Sequence, residues 1–311
     1  MTRLYYCDHY AIPLPEGHKF PMAKYRMVRD RLAADGRFEF ECAPMAPVDV
    51  VTLVHDEEYV RRFIDGALAP EVIRRIGFPW SEGLVRRTLA SVGGTMGACG
   101  EALAKGWGGN LAGGTHHAFR GEGSGFCVLN DMAVAIEWLR AAGRIRRAAV
   151  VDCDVHQGDG TAAIFENEPE VFTLSLHGER NFPFRKQRSR LDVALADGTG
   201  DDEYLTALGR ALEEVFAFGP EMVFFQAGVD GLASDTLGRL SLTMEGLAAR
   251  DRMVLGAARA AGVPVVIVLG GGYAKPVEHT ADAHAQTFRT AAAVYSGEAS
   301  SIALKTSLSV R

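Results

Sequence analysis

The stretch Ala148-Ala149-Val150-Val151-Asp152-Cys153-Asp154-Val155-His156-Gln157-Gly158-Asp159-Gly160 carries both the fold and the chemistry of this chain. Its four leading apolar residues show no polar alternation, the habit of a parallel strand covered by helices on both faces. The run then breaks into three carboxylates and an imidazole. In extended chain, positions two apart face the same side, so Asp154 and His156 can share a metal ion. Any one of these aspartates alone reads best as a turn former or helix cap. Three of them with an interposed histidine in a buried crevice call for a cation or strong hydrogen-bond partners.

Outward from this segment the same rhythm repeats. Residues 171–176, 222–226 and 263–269 are further apolar runs, and a further run spans 110–114. Between and beyond them, residues 130–142, 201–218, 243–261 and 277–296 place apolar side chains at helical spacing. Alternating strands and helices predict an α/β three-layer sandwich with a central, mainly parallel sheet. The first third is less regular: a strand over 3–7, a helix over 22–35, and a long helix over 81–105 interrupted at Gly93-Gly94. No repeat or linker divides residues 1–311, which are expected to form one domain.

The polar clusters follow the candidate strands. His116-His117 come after 110–114, Asp152 to Asp159 after 148–151, Asp230 after 222–226, and Gly270 to Tyr273 after 263–269. In open parallel sheets ligands bind in the crevice beyond the carboxyl ends of the strands, where such loops converge. Asp230 can therefore supply a third ligand beside Asp154 and His156, leaving a position open for water as in catalytic zinc sites. Oxygen and nitrogen donors without thiolate suit zinc or iron(II). The tandem His116-His117 adds groups that titrate near neutral pH and can take and return a proton. The run Gly270-Gly271-Gly272 lets backbone approach a ligand closely, and Tyr273 after it is a candidate donor to a developing oxyanion.

Composition narrows the class. The net charge of -6 leaves no broad footprint for nucleic acid. No apolar run reaches the roughly 18 residues of a membrane span, and the first residues do not read as a secretory signal, so a cytoplasmic protein without membrane partners is expected. The five cysteines form no C-x-x-C pair, which favours reduced thiols and places any metal on His and carboxylates.

Five ordered motifs carry a resemblance: Gly-Gly-Thr-His-His-Ala-Phe at 113–119, Gly-Phe-Cys-Val-Leu-Asn-Asp at 125–131, Asp-x-Asp-x-His-x-Gly-Asp-Gly at 152–160, Ala-Gly-Val-Asp at 227–230 and Gly-Gly-Gly-Tyr at 270–273. Together they strongly resemble the histone deacetylases. The stretches 17–22 and 197–204 look most like class IV and its bacterial relatives. The resemblance implies an arginase/deacetylase-like fold and zinc-dependent hydrolysis of the amide of an acylated lysine, on protein or in a small acylated amine. It implies zinc on Asp154, His156 and Asp230, with His117 as the general base that later protonates the leaving amine. His116 becomes the second, electrostatic histidine, Asp152 and Asp159 orient His116 and His117, and Tyr273 polarises the acyl carbonyl. Gly125 and Phe126 would line a tunnel for the lysine stem, with Phe182 or Phe184 as the other wall and Gly271 also at the substrate. A potassium ion would sit on Asp152, Ser175 and the carbonyls of Asp154, His156 and Leu176.

One departure stands out: residues 74–80, where class I enzymes carry an acidic rim residue, contain none. The loop 180–190 is basic, through Arg180, Arg185, Lys186, Arg188 and Arg190, which disfavours polycationic substrates if it borders the mouth. Two other readings compete. An arginase-like ureohydrolase would need a second metal and a further acidic cluster, and a non-catalytic module for acylated amines would need a broken catalytic set.

Overall fold

The computed structural model describes residues 1–10 and 12–296, so the end of the expected 1–311 domain lies outside the described residues. In chain order the elements are β1 Thr2–Tyr6, α1 Ala23–Ala34, β2 Phe38–Cys42, α2 Val48–Val51, α3 Glu57–Ile64, α4 Pro70–Ile76, α5 Glu82–Lys105, β3 Trp107–Asn110, α6 Asp131–Ala141, β4 Ala148–Asp152, α7 Asp159–Phe165, β5 Val171–Gly178, β6 Leu191–Leu195, α8 Asp201–Phe218, β7 Met222–Gln226, α9 Met244–Ala261, β8 Val265–Val268 and α10 Val277–Ser296.

All eight strands form one sheet in the order β2-β1-β3-β8-β7-β4-β5-β6, and every pairing is parallel. The inner strands β4, β5, β7 and β8 are buried along their whole length, as parallel strands covered on both faces are, although β5 also buries Thr173, Ser175 and His177. Helices cover both faces. Successive residues of a strand point to opposite sides, and in β3 the missing Cβ of Gly108 would meet Ala98 of α5 while that of Gly109 would meet Phe288 of α10. Helices α1, α10, α9 and α8 pack in sequence on one side, and α5 with α6 on the other.

The chain passes from β3 to β4 across a gap that β7 and β8 later fill. The neighbours β3, β8, β7 and β4 thus deliver four consecutive loops to one crevice at their carboxyl ends. Asp152, the last residue of β4, pairs in register with Gln226 on one side and Ser175 on the other.

Two expectations are corrected. Helix α5 runs unbroken through Gly93-Gly94. There a Cβ on Gly93 would strike the Pro44 carbonyl, and one on Gly94 would stand 2.7 Å from the Asn110 side chain. Those glycines seat the helix against its neighbours, and packing outweighs their cost of about 1 kcal/mol each in helix propensity. The run 110–114 is strand only at its first residue, because Gly113 and Gly114 take positive φ and turn the chain into the crevice. The edge strands β2 and β6 carry no strong apolar signal: one alternates apolar and acidic residues, the other is half exposed along most of its length, as edges are.

Candidate active site

The crevice is a cavity of about 600 Å³ whose lining includes His116, His117, Asp154, His156 and Tyr273. At its floor Asp154, His156 and Asp230 offer ligand atoms within 4.8 Å of one another. The Nδ1 of His156 stands 3.0 Å from Asp154 Oδ1 and 3.1 Å from Asp230 Oδ2. The other carboxylate oxygens are fixed by the fold: Asp154 Oδ2 accepts from the Gly271 amide at 2.7 Å and from Gln226 Nε2 at 2.8 Å. Asp230 Oδ1 accepts from the Val155 amide at 2.8 Å. A Cβ on Gly271 would run into Asp230 Oδ2, so glycine is required for that loop to close on the carboxylates.

The electrostatics of this set fit a bound cation. Burial, then the neighbouring Asp154, pushes the Asp230 carboxyl up to about 7. His156 is drawn up to about 10, because the attraction of Asp154 and Asp230 overcomes the burial that opposes its charge. Two buried carboxylates thus converge on one imidazole nitrogen. A divalent ion placed on the same oxygen and nitrogen donors would replace that proton, the exchange expected when a metal site fills. Zinc and iron(II) both suit the donor chemistry.

Two histidine–carboxylate pairs form the adjoining wall. His116 Nδ1 lies 2.6 Å from Asp152 Oδ2, and His117 Nδ1 lies 2.6 Å from Asp159 Oδ1. Their rings are 4.1 Å apart, yet their protonation diverges. Burial acts against charge on His116, but Asp152 and Asp154 outweigh it and hold the ring up to about 9. Burial, then the positive charge of His116, drives His117 down to about 4. Tyr273 lines the same cavity, and burial, followed by the charges of Asp154 and Asp230, keeps its phenol protonated.

Residues 18–290 match the histone deacetylase domain.

The chain belongs to the histone deacetylase family.

It is 47% identical over 294 residues to an uncharacterized protein of Picosynechococcus sp., covering 93% of this chain and 98% of that one. It is 32% identical to histone deacetylase 2 of Arabidopsis thaliana (83% of this chain, 70% of the relative) and 31% identical to a probable deacetylase of Archaeoglobus fulgidus (78% and 73%). A crystal structure of an HDAC homolog complexed with SAHA superposes with a TM-score of 0.78 at 27% identity, covering 95% of this chain and 84% of that chain. The sandwich is therefore the arginase/deacetylase-like α/β fold of histone deacetylases.

Within this family member the cavity walls separate the two phenylalanines left open above. Phe182 packs edge-on against His117 at 4.9 Å, and a Cβ on Gly125 would stand 3.2 Å from its ring. Phe184 is 90% exposed at the rim. Phe126 takes the unusual φ of 66° and donates its amide to the Ile76 carbonyl at 2.7 Å, which ties the loop carrying Gly125 to the rim segment 74–80. Its ring lies 6.1 Å from that of Tyr273. Ser175 and Leu176 are buried on β5, with Ser175 Oγ 3.0 Å from His177 Nδ1.

Several supporting residues were not singled out from the sequence. Asp131 accepts from the Thr115 amide at 2.8 Å and the Gly114 amide at 3.2 Å, clamping the loop that carries both histidines. Asp235 accepts the Tyr273 amide at 2.6 Å. Lys24, fully buried, donates to the carbonyls of Gly270 at 3.0 Å and Gly272 at 3.4 Å. A carboxamide ending an apolar strand was a signal for Gln226, whereas Lys24 on an otherwise ordinary helix had none. Among the described residues no helix is long and apolar enough to cross a membrane.

Proposed function

We propose that this chain is a zinc-dependent deacylase that hydrolyses the amide of an N-acylated lysine or a related acylated amine. The observation that carries the reading is the convergence of two buried His–Asp pairs on the Asp154, His156 and Asp230 set within one cavity. Asp154, His156 and Asp230 would hold the zinc, which supplies Lewis-acid polarisation of the acyl carbonyl and acidifies water.

The remaining steps fall to the chain itself. Asp159 accepts from Nδ1 of His117, which leaves Nε2 free to take a proton from the attacking water. The low proton affinity of His117 keeps it unprotonated at neutral pH, so it is available as a base. After attack, the same nitrogen returns the proton to the leaving amine. His116, oriented by Asp152, sets its imidazole beside the developing oxyanion. The phenol of Tyr273 donates to that oxyanion. Gly125, Phe126 and Phe182 flank the apolar stem of the acylated amine, and Gly271 lets the backbone come close beneath it.

The same reading places a potassium ion on Asp152, Ser175 and the carbonyls of Asp154, His156 and Leu176; the register pairing of Asp152 with Ser175 supports it. It also takes residues 1–311 as one catalytic domain acting in the cytoplasm. Against a two-metal ureohydrolase, Asp154, His156 and Asp230 are the one group of three or more suitable donors among the described residues. The test is hydrolysis of acetyl-lysine peptide, long-chain acyl-lysine peptide, free acetyl-lysine and acetylpolyamine by zinc-loaded protein. Chelator-sensitive turnover of any member is expected; folded, zinc-bound protein that turns over none would overturn the reading.

A further inference from the structure

The chain carries a net charge of -6, yet the cavity mouth is positive. Lys19, Arg75, Arg180 and Arg239 all line the cavity, and the one carboxylate in its lining is Asp154 at the floor. Neutralisation of these cations is incomplete. Arg75 pairs with Glu122. Arg180 and Arg239 share a single carboxylate, Asp197, at 3.9 and 3.2 Å. Lys19 is exposed and has no ion-pair partner among the described residues. Four cations thus face two carboxylates, and neither of those lines the cavity.

An ordinary solvated surface fits these observations poorly. A surface of mixed sign would set acids among the bases, as Glu71 beside Arg74 and Glu82 beside Arg86 do on their helices. At the mouth the excess positive charge instead lines a partly apolar cavity, where field lines concentrate and approaching anions are drawn in. Arg180 and Arg239 are 74% and 54% exposed at their side chains, so both guanidiniums can reach a ligand in addition to Asp197. Planar guanidinium forks match carboxylate geometry.

We infer that the preferred substrate bears a carboxylate on the side of the scissile amide that remains at the mouth, held by Arg180 and Arg239. This rests on the deacylase reading and narrows its substrate class to acidic acylated amines. The carboxylate can come from the α-carboxyl group of an acyl-lysine or from acidic residues flanking it in a peptide.

The decisive comparison uses Nα-benzoyl-Nε-acetyl-lysine and its carboxamide, two compounds that differ by one charge far from the reacting bond. At low ionic strength kcat/KM should favour the carboxylate by about five- to tenfold, through KM, and the ratio should shrink as salt rises, as for partly exposed charges. In Arg180→Gln/Arg239→Gln the ratio should fall close to one. Acetyl-lysine peptides flanked by Asp, compared with the same peptides flanked by Lys, separate the two sources: preference for the flanking Asp assigns the charge to a peptide, and its absence assigns it to the α-carboxyl group. A wild-type ratio at or below one, with the carboxamide hydrolysed, would overturn the inference and leave the deacylase reading intact. A preference that survives the double variant would remove Arg180 and Arg239 from it. No hydrolysis of any compound would overturn the deacylase reading itself, and this inference with it.

Discussion

Nδ1 of His117 lies 2.6 Å from Oδ1 of Asp159, and both side chains are buried. That contact fixes the tautomer and aims Nε2 into the cavity. Asparagine at position 159 keeps the size but can present an N–H to the ring, favouring the wrong tautomer. Asp159→Asn should therefore lower kcat by about 10–100-fold with zinc content unchanged. Steady-state kinetics beside metal analysis would check this, and a kcat within twofold of wild type would remove Asp159 from the orienting role.

The loop through Gly271 is constrained by the carboxylates themselves, because its amide donates to Asp154 Oδ2 and a Cβ would collide with Asp230. Gly271→Ala should weaken zinc binding at least about tenfold, comparable to the loss of an outer hydrogen-bond partner. Asp230→Ala should lose the metal altogether. Competition with a chromophoric chelator gives both numbers; stoichiometric zinc in Asp230→Ala would show that Asp230 is not a ligand.

Tyr273 is positioned from behind as well as by its own loop, through Asp235 on its amide and Lys24 on the flanking carbonyls. Tyr273→Phe keeps the ring contact with Phe126 and removes the donor. Turnover should fall by roughly 100-fold or more with metal retained, the usual effect of deleting an oxyanion donor. Near-normal kcat would take the phenol out of the mechanism.

Much of this arrangement was legible along the chain because each polar cluster follows directly on a buried strand. β4 and β7 announce themselves as apolar runs, and the residues after them must emerge at the crevice. What the sequence concealed depends on tertiary neighbours. Gly93-Gly94 reads as a helix break unless Pro44 and Asn110 are known to press on it. FEFEC and LDVAL become strands β2 and β6 by pairing at the sheet edges, where half-exposure dilutes the apolar signal. Phe182 and Phe184 are equivalent in spacing, and the cavity distinguishes them only through His117 and Gly125. Lys24 illustrates the opposite case, a charged helix residue whose burial follows from acceptors 246 and 248 residues away.

His55 should make the stability of the fold depend on pH. Its Nε2 accepts from the Asn130 amide at 2.8 Å, while its Nδ1 faces the Arg120 carbonyl at 3.2 Å, so the ring must be neutral with its proton on Nδ1. A second proton would set N–H against N–H. Burial, opposed by the backbone acceptors, accordingly holds His55 down to about 4. The unfolded ring titrates near 6.5. Its neutral form is thus favoured by folding above pH 6.5, and between 6.5 and about 4 the unfolded chain binds the extra proton. Stability should fall across that window by roughly 3 kcal/mol at most from this group. His117 and His177 are also held down to about 4, so the informative quantity is the difference between proteins. His55→Gln, which cannot titrate there, should be less stable at pH 7 but lose less on acidification, as read by urea unfolding at pH 7.0, 6.0 and 5.0. Asn130 caps α6, and the adjoining Asp131 clamps the loop bearing His116 and His117. Parallel acid slopes in the two proteins would show that His55 does not set this dependence.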